Sequence, residues 1–182
     1  MILELKENIP HGTEEYPYDQ YYIHNIKRQF QFPAHWHDEF EIIYIKQGQL
    51  QICIEECEYS GKAGSVFLVN PRELHFMGSA DLSVTYYTLL FPLEFISFQS
   101  DDELEKTLLQ PLRNGQLLMA NQITNETLLR QAGHLFDELI ALNERQAAQY
   151  QLKTHIMLLT FLSSMIEYDL VIQPRSRGSQ TG

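Results

Sequence analysis

Apolar positions in the first half of the chain fall in short runs rich in β-branched and aromatic residues: YYIHNIKRQF, EFEIIYIK, QLQICIE, SVFLVN and SVTYYTLLF. Turn residues at Gly48, Gly61, Gly64, Pro71 and Gly78 separate them, the spacing of an antiparallel sandwich or barrel. In QLQICI, Leu50, Ile52 and Ile54 alternate with Gln51 and Cys53, which predicts a strand with one buried face and puts Cys53 on the other. After about residue 100 the period lengthens. Leu128, Ala132, Leu135, Leu139 and Leu142 recur at steps of four and three and predict a helix. Thr124 to Thr127, with Asn125 and Glu126 between, offers it a capped start with an acid in the first turn. A second helix is predicted by Leu152, Ile156, Leu159, Leu162, Ile166 and Leu170, joined to the first near ERQAAQYQ, where no Gly or Pro marks a break. The tail QPRSRGSQTG is polar and aperiodic, as in a flexible end or linker.

Composition narrows the class. A chain of 182 residues holds one substantial domain, or one of about 100 residues with an appendage. A hydrophobic share of 44%, with ten Tyr and ten Phe, excludes disorder over most of the length. Acidic residues outnumber basic ones 24 to 13, and a net charge of −11 repels a phosphate backbone, so gripping DNA is not expected of this chain alone. Cys53 and Cys57 are too few for a disulfide framework or a cysteine zinc site, and reduced thiols are expected. The start MILELKENIPHGTEE has no apolar stretch fit for export, and the longest apolar run, IMLLTFLSSMI, falls short of a membrane span; the cytoplasm is the expected location. There is no Gly-rich phosphate loop and no Gly-x-Ser-x-Gly turn.

The candidate chemistry lies in HWHDEFEIIYIKQG. If residues 35 to 45 run as one strand, His35, His37, Glu41, Ile43 and Ile45 share a face, and Trp36, Asp38, Phe40, Ile42 and Tyr44 share the other. Two imidazoles and a carboxylate suit Mn, Fe, Ni or Zn, and His75 in NPRELHF offers a fourth ligand. The same four residues also fit a buried polar cluster closed by its own hydrogen bonds, or direct contacts to an organic ligand. Trp36, Tyr44, Phe67, Tyr86 and Tyr87 are candidates to stack on a flat ligand or simply to fill the core, and alternation lets only one of Tyr86 and Tyr87 face inward. Arg72 and Glu73, in the turn before His75, could meet a polar ligand group or stay solvated. His11, His24, His134 and His155 have no such context. Two apolar-striped helices exceed what one side of a small barrel must cover, which points to a homodimer through Leu128, Leu135, Leu139 and Leu142; packing of the helices on each other is the alternative.

His35-x-His37-x3-Glu41-x6-Gly48 matches the core of the first cupin motif, and GSVFLVNPRELH, with Gly64, Pro71 and His75, looks like the second. Within that superfamily, FPAHWHDEFEIIYIKQGQLQICI and AGSVFLVNPRELHFM closely resemble the amino-terminal sensor domain of AraC-type transcription regulators, over residues from about 20 to 95. The resemblance implies a mainly β fold, a cupin-like double-stranded β-helix (jelly-roll barrel) followed by a helical pair. It divides the chain into an amino-terminal arm (1–19), a barrel sensor domain (20–98), a connecting segment (99–123), a helical dimerisation element (124–172) and a tail or linker (173–182). It implies a small-molecule effector, with a sugar among the candidates, bound by His35, Trp36, His37, Glu41, Tyr44, Arg72, His75 and Tyr87, and DNA contacts only through a helix-turn-helix half that nothing after Gln173 supplies. Two positions depart from the metal-binding pattern: Gln29 stands where a metal cupin usually carries glycine, and Pro71 to His75 is one residue short, with no glycine between. AraC-type sensors commonly keep the His-x-His and Glu pattern without a metal. The expectation is therefore a binding module with no cofactor and no enzymatic activity. The alternative is a small metal-dependent cupin enzyme, a dioxygenase or isomerase, with His35, His37, Glu41 and His75 as ligands.

Overall fold

The computed structural model describes residues 5–24, 30–80 and 83–174. The expected tail lies outside the described residues from 175 on, as do residues 25–29 of the first β run.

Eight strands build the barrel: β1 (Asp19–His24), β2 (Phe30–His35), β3 (Phe40–Gln47), β4 (Gln49–Ile54), β5 (Cys57–Lys62), β6 (Val66–Val69), β7 (His75–Ser79) and β8 (Thr85–Phe91). They form two four-stranded antiparallel sheets, in the orders β1-β8-β3-β6 and β2-β7-β4-β5, so that the chain changes sheet at every step but the β4–β5 hairpin, as in a jelly roll. Between the sheets lies a core of Ile43, Ile45, Leu50, Ile52, Ile54, Phe67, Val69, Met77 and Tyr86.

The two sheets differ in what they bury, and their sequences show why. In β4 buried and exposed positions alternate, since the second sheet turns its outer face to water. In β3 the first six residues are all buried, because the first sheet is covered on both faces. Its outer residues Phe40, Ile42 and Tyr44 join Leu89 and Phe91 in a second core with α2 (Glu126–Glu144) and α3 (Tyr150–Glu167), through Leu128, Phe136, Leu139, Leu158, Phe161 and Met165. Each such side chain, fully buried, contributes about 1.5–3 kcal/mol. The helices are therefore part of the fold, not an appendage to it.

Asn125, not Thr124, caps α2: its side-chain oxygen accepts from the amides of Thr127 and Leu128, both at 3.0 Å. The break after α2 needs no glycine, because Gln146 and Gln149 take positive φ of 44° and 62°. The connecting segment is structured, with a π-turn over Glu105–Leu109, α1 (Gln110–Arg113) and β9 (Leu118–Met119), which pairs with β10 (Val171–Ile172) beyond α3. No helix among the described residues is long and apolar enough to cross a membrane.

Two expectations are corrected. Residues 35 to 45 are not one strand: β2 ends at His35, the chain crosses between sheets over 36–39, and β3 begins at Phe40. The α2 leucines do not form a free stripe either. Leu128 and Leu139 are fully buried against the barrel and α3, and Leu135 and Leu142 are half-buried, because the outer face of the first sheet takes up that side of the helix.

Candidate functional site

The crossing at residues 36–39 brings four side chains to one end of the barrel. His35 closes β2 opposite its register partner His75, the first residue of β7; Glu41 faces them from β3, and His37 sits in the crossing itself. The Nε2 atoms of His37 and His75 each lie 3.2 Å from Glu41 Oε2, and the His35 and His75 rings are 4.2 Å apart. The shortened second motif still delivers His75. Arg72 takes the left-handed conformation, φ 70°, that a glycine would otherwise supply, and its amide donates to His37 O at 2.8 Å.

All three imidazoles are held in the same way. Nδ1 of His35, His37 and His75 lies 3.0 Å from the carbonyl oxygen of Pro33, Glu39 and Glu73 respectively. A carbonyl only accepts, so each Nδ1 carries a proton and each neutral ring turns a lone pair on Nε2 towards the cluster. Lone pairs beside a carboxylate repel it unless a proton or a cation lies between. The proton solution is built on His37. Burial works against charge there, but Glu41 outweighs it and holds the imidazole above its ordinary range. Burial likewise opposes the Glu41 charge, and His37 and His75 outweigh it, so the carboxyl stays well below the usual range. Burial and then the neighbouring His75 push His35 down, towards the neutral form.

The cation solution fits the same residues. One ring nitrogen from each of His35, His37 and His75 lies within 4.8 Å of the other two, Glu41 Oε2 stands beside the Nε2 atoms of His37 and His75, and the carbonyls at Nδ1 are the orienting partners that metal-bound histidines use. His75 Nε2 is buried and makes no hydrogen bond. Such a donor set would hold Mn, Fe, Ni or Zn and would supply Lewis-acid chemistry.

Beside the cluster lies a cavity of about 250 Å³, lined by His35, His37 and Glu41 at its polar end and by Ile23, Phe32, Met77, Tyr86 and Leu90 along its walls. It is smaller than the roughly 300 Å³ at which drug-sized sites begin. Residues 7–11 form its roof. Glu7 N donates to Trp36 O and Trp36 N to Leu5 O, which zips the arm onto the crossing, and Glu7, Ile9 and His11 then look into the cavity. Further on, Tyr16 reaches the helices, where its hydroxyl donates to Asn143 Oδ1 at 2.8 Å and Asn143 Nδ2 donates to Thr154 Oγ1 at 2.9 Å.

Of the residues singled out from sequence, His35, His37, Glu41 and His75 come together, while four aromatic and basic candidates stand elsewhere. Trp36 is buried under the arm, with Lys6 Nζ 5.2 Å over its ring. Tyr44 faces outward from β3 and packs on Phe136 of α2. Arg72 is exposed and bonds to Asp38. Tyr87 turns out to Tyr22 and Glu144, and Tyr86 is the tyrosine that faces the cavity. Glu7, His11, Tyr21 and Thr88 also line the cavity. Strand alternation from Tyr86 could have found Thr88, and Glu7 and His11 lie in the segment 1–19 that the sequence offered as an arm over the pocket, although nothing singled out these two residues within it.

A family model described as AraC-like ligand binding domain matches residues 17–160. No curated protein matches the chain. Among solved structures, a Schizosaccharomyces pombe Cnp3 cupin domain is similar at 13% identity and a TM-score of 0.40, over 44% of this chain and 59% of that one. Oxalate decarboxylase from Bacillus subtilis is similar at 12% identity and a TM-score of 0.38, over 41% of this chain and 21% of that one. An RmlC-like cupin from Shewanella frigidimarina is similar at 16% identity and a TM-score of 0.38, over 41% of this chain and 66% of that one. The chain thus spans between a fifth and two thirds of the length of these cupins.

Proposed function

The chain belongs to the family of AraC-like ligand binding domains, and on that footing we propose that it is the effector-sensing and dimerisation half of a cytoplasmic transcription regulator, and not an enzyme. The observation that carries this reading is the course of the arm: one continuous segment roofs the barrel cavity with Glu7, Ile9 and His11 and ends in the Tyr16–Asn143–Thr154 network between the two helices. A small occupant of the cavity that binds better under a closed arm favours that arrangement, and the helices feel it through the same segment. Operator contacts would fall to a separate helix-turn-helix half.

Dimerisation is assigned to α3. Leu152, Ile156 and Ile166 are exposed and Leu159 half-buried, at steps of four, three and seven along one side of the helix, opposite the side buried on the barrel.

The test is a thermal-shift screen of small molecules on this chain beside a Met77→Trp variant, whose larger side chain fills the cavity. At least one compound is expected to raise the Tm of the parent and not of the variant. A broad panel without such a compound would count against a sensor.

A second reading, a small metal-dependent cupin enzyme, is favoured by one observation, the three histidines preset with Nε2 inward around Glu41. It requires a resident metal that His35→Ala removes, together with turnover of a substrate held in the same cavity.

A further inference from the structure

The polar end of the cavity is rich in acceptors. His37 Nε2 pairs with Glu41, and beside that carboxylate and the Nε2 lone pair of His35 the arm contributes two more. His11 Nδ1 lies 3.0 Å from the Tyr21 hydroxyl, which donates its own proton to Asp19 Oδ2 at 2.8 Å. The Tyr21 oxygen can then only accept from His11, so Nδ1 carries a proton, and in that tautomer Nε2 is the acceptor. The His11 side chain is only 6% exposed, and its Nε2 has no hydrogen-bond partner. A buried acceptor left in that state is costly unless a ligand or water meets it. Glu7 Oε2 stands 3.6 Å from that nitrogen and 3.8 Å from His35 Nε2, too far for a hydrogen bond to either. No lysine or arginine among the described residues reaches it, since Lys6 and Arg72 both pair with Asp38. The arm therefore carries a carboxylate and an imidazole acceptor into a cavity whose remaining lining is apolar at Ile9, Ile23, Phe32, Met77 and Leu90, with hydroxyls at Tyr21, Tyr86 and Thr88.

We propose that Glu7 and His11 together form a recognition site for an ammonium group, and that the ligand of this cavity is a small primary amine with an apolar body. An ammonium has three donors and no acceptor, so it satisfies Glu7 and His11 at once, and a carboxylate in a site of low dielectric favours it over a neutral hydroxyl. A free carboxylate would face Glu7 and Glu41 there, and the His37 imidazolium is already paired with Glu41. A sugar needs acceptors and donors around its whole rim, and away from the polar end only the Tyr86 and Thr88 hydroxyls stand among apolar walls to meet them. The proposal rests on reading the cavity as the effector site. It does not depend on whether a metal occupies the histidine cluster, which uses different atoms.

Calorimetric titration of the chelator-treated chain with pentylamine, 1-pentanol, pentanoate and an aldopentose tests it, repeated on Glu7→Gln and Met77→Trp. Pentylamine is expected to bind about ten-fold or more tightly than the alcohol, with that preference lost in Glu7→Gln and all binding lost in Met77→Trp. If pentanoate or the pentose binds best and loses binding in Met77→Trp, the cavity stands as the effector site and the amine assignment falls. An amine preference that survives Glu7→Gln also overturns the assignment. Absence of binding by all four probes rejects it as well, and the screen above then decides the cavity on its own.

Discussion

At the scale of single residues, close packing explains features that composition cannot. Gly61 on β5 stands where the barrel has no room: a Cβ there would lie 2.5 Å from the Phe67 ring and 2.9 Å from Ile45 Cδ1, and both of those side chains are fully buried. Phe67 was one of the aromatics that could have stacked on a ligand, and its place opposite Gly61 makes it core. Because the neighbours are ring and aliphatic atoms inside a filled barrel, Gly61→Ala is expected to lower stability by about 1–3 kcal/mol, read as a drop in the urea midpoint at constant slope. Adding Phe67→Leu should return part of the loss. Single-mutant effects that simply add would mean that the two sites do not touch.

At the scale of elements, the period of the sequence found both helices, yet it could not say which side of each the barrel would take. Leu128, Leu135, Leu139 and Leu142 read as well for a dimer seam as for a packing face, and only the doubly covered first sheet decides between them. The crossing after His35 was equally hidden. HWHDEFEIIYI contains no glycine or proline to mark a change of sheet, so unbroken alternation was the simplest reading. That reading still grouped His35, His37 and Glu41 correctly, because the crossing folds them onto the same space that a straight strand would have lined. The fully buried run of β3 was legible only as an apolar stretch, since whether a strand is covered on one face or two depends on distant helices. If α3 forms the dimer seam, the double variant Ile156→Glu, Ile166→Glu should sediment as a monomer where the parent sediments as a dimer. Both side chains are exposed within one chain, so the monomer should lose less than about 0.5 kcal/mol. A parent that is monomeric at every concentration tested rejects the seam.

Over the whole molecule, the histidine end of the barrel ties stability to pH, and the direction differs with what sits there. Without a metal, the His37 imidazolium and Glu41 hold each other across 3.2 Å. His37 is raised above its ordinary 6.5, so its contribution is complete below that pH and is lost as pH rises through the raised value. Glu41 is depressed below its ordinary 4.5, so its contribution is complete above 4.5 and is lost only as pH falls through the depressed value. His35 is depressed as well, and its neutral form favours the fold fully above about 6.5 and progressively less below it. The metal-free chain is therefore most stable near pH 6.5 and loses stability from there up to the raised value of His37, an alkaline decline that a chain of ordinary histidines would not show. A transition metal needs His37 without its proton, so metal and proton compete for one nitrogen. Thermal melts from pH 5 to 9, with chelator and with added Zn, should show a metal-induced rise in Tm that grows with pH and takes the place of the alkaline decline. In Glu41→Gln the alkaline decline should disappear, because His37 has then lost the charge that raised it. If melts with chelator and with Zn superimpose at every pH while the parent keeps its alkaline decline, the cluster binds a proton and no Zn, and its four residues serve as the polar wall of the cavity.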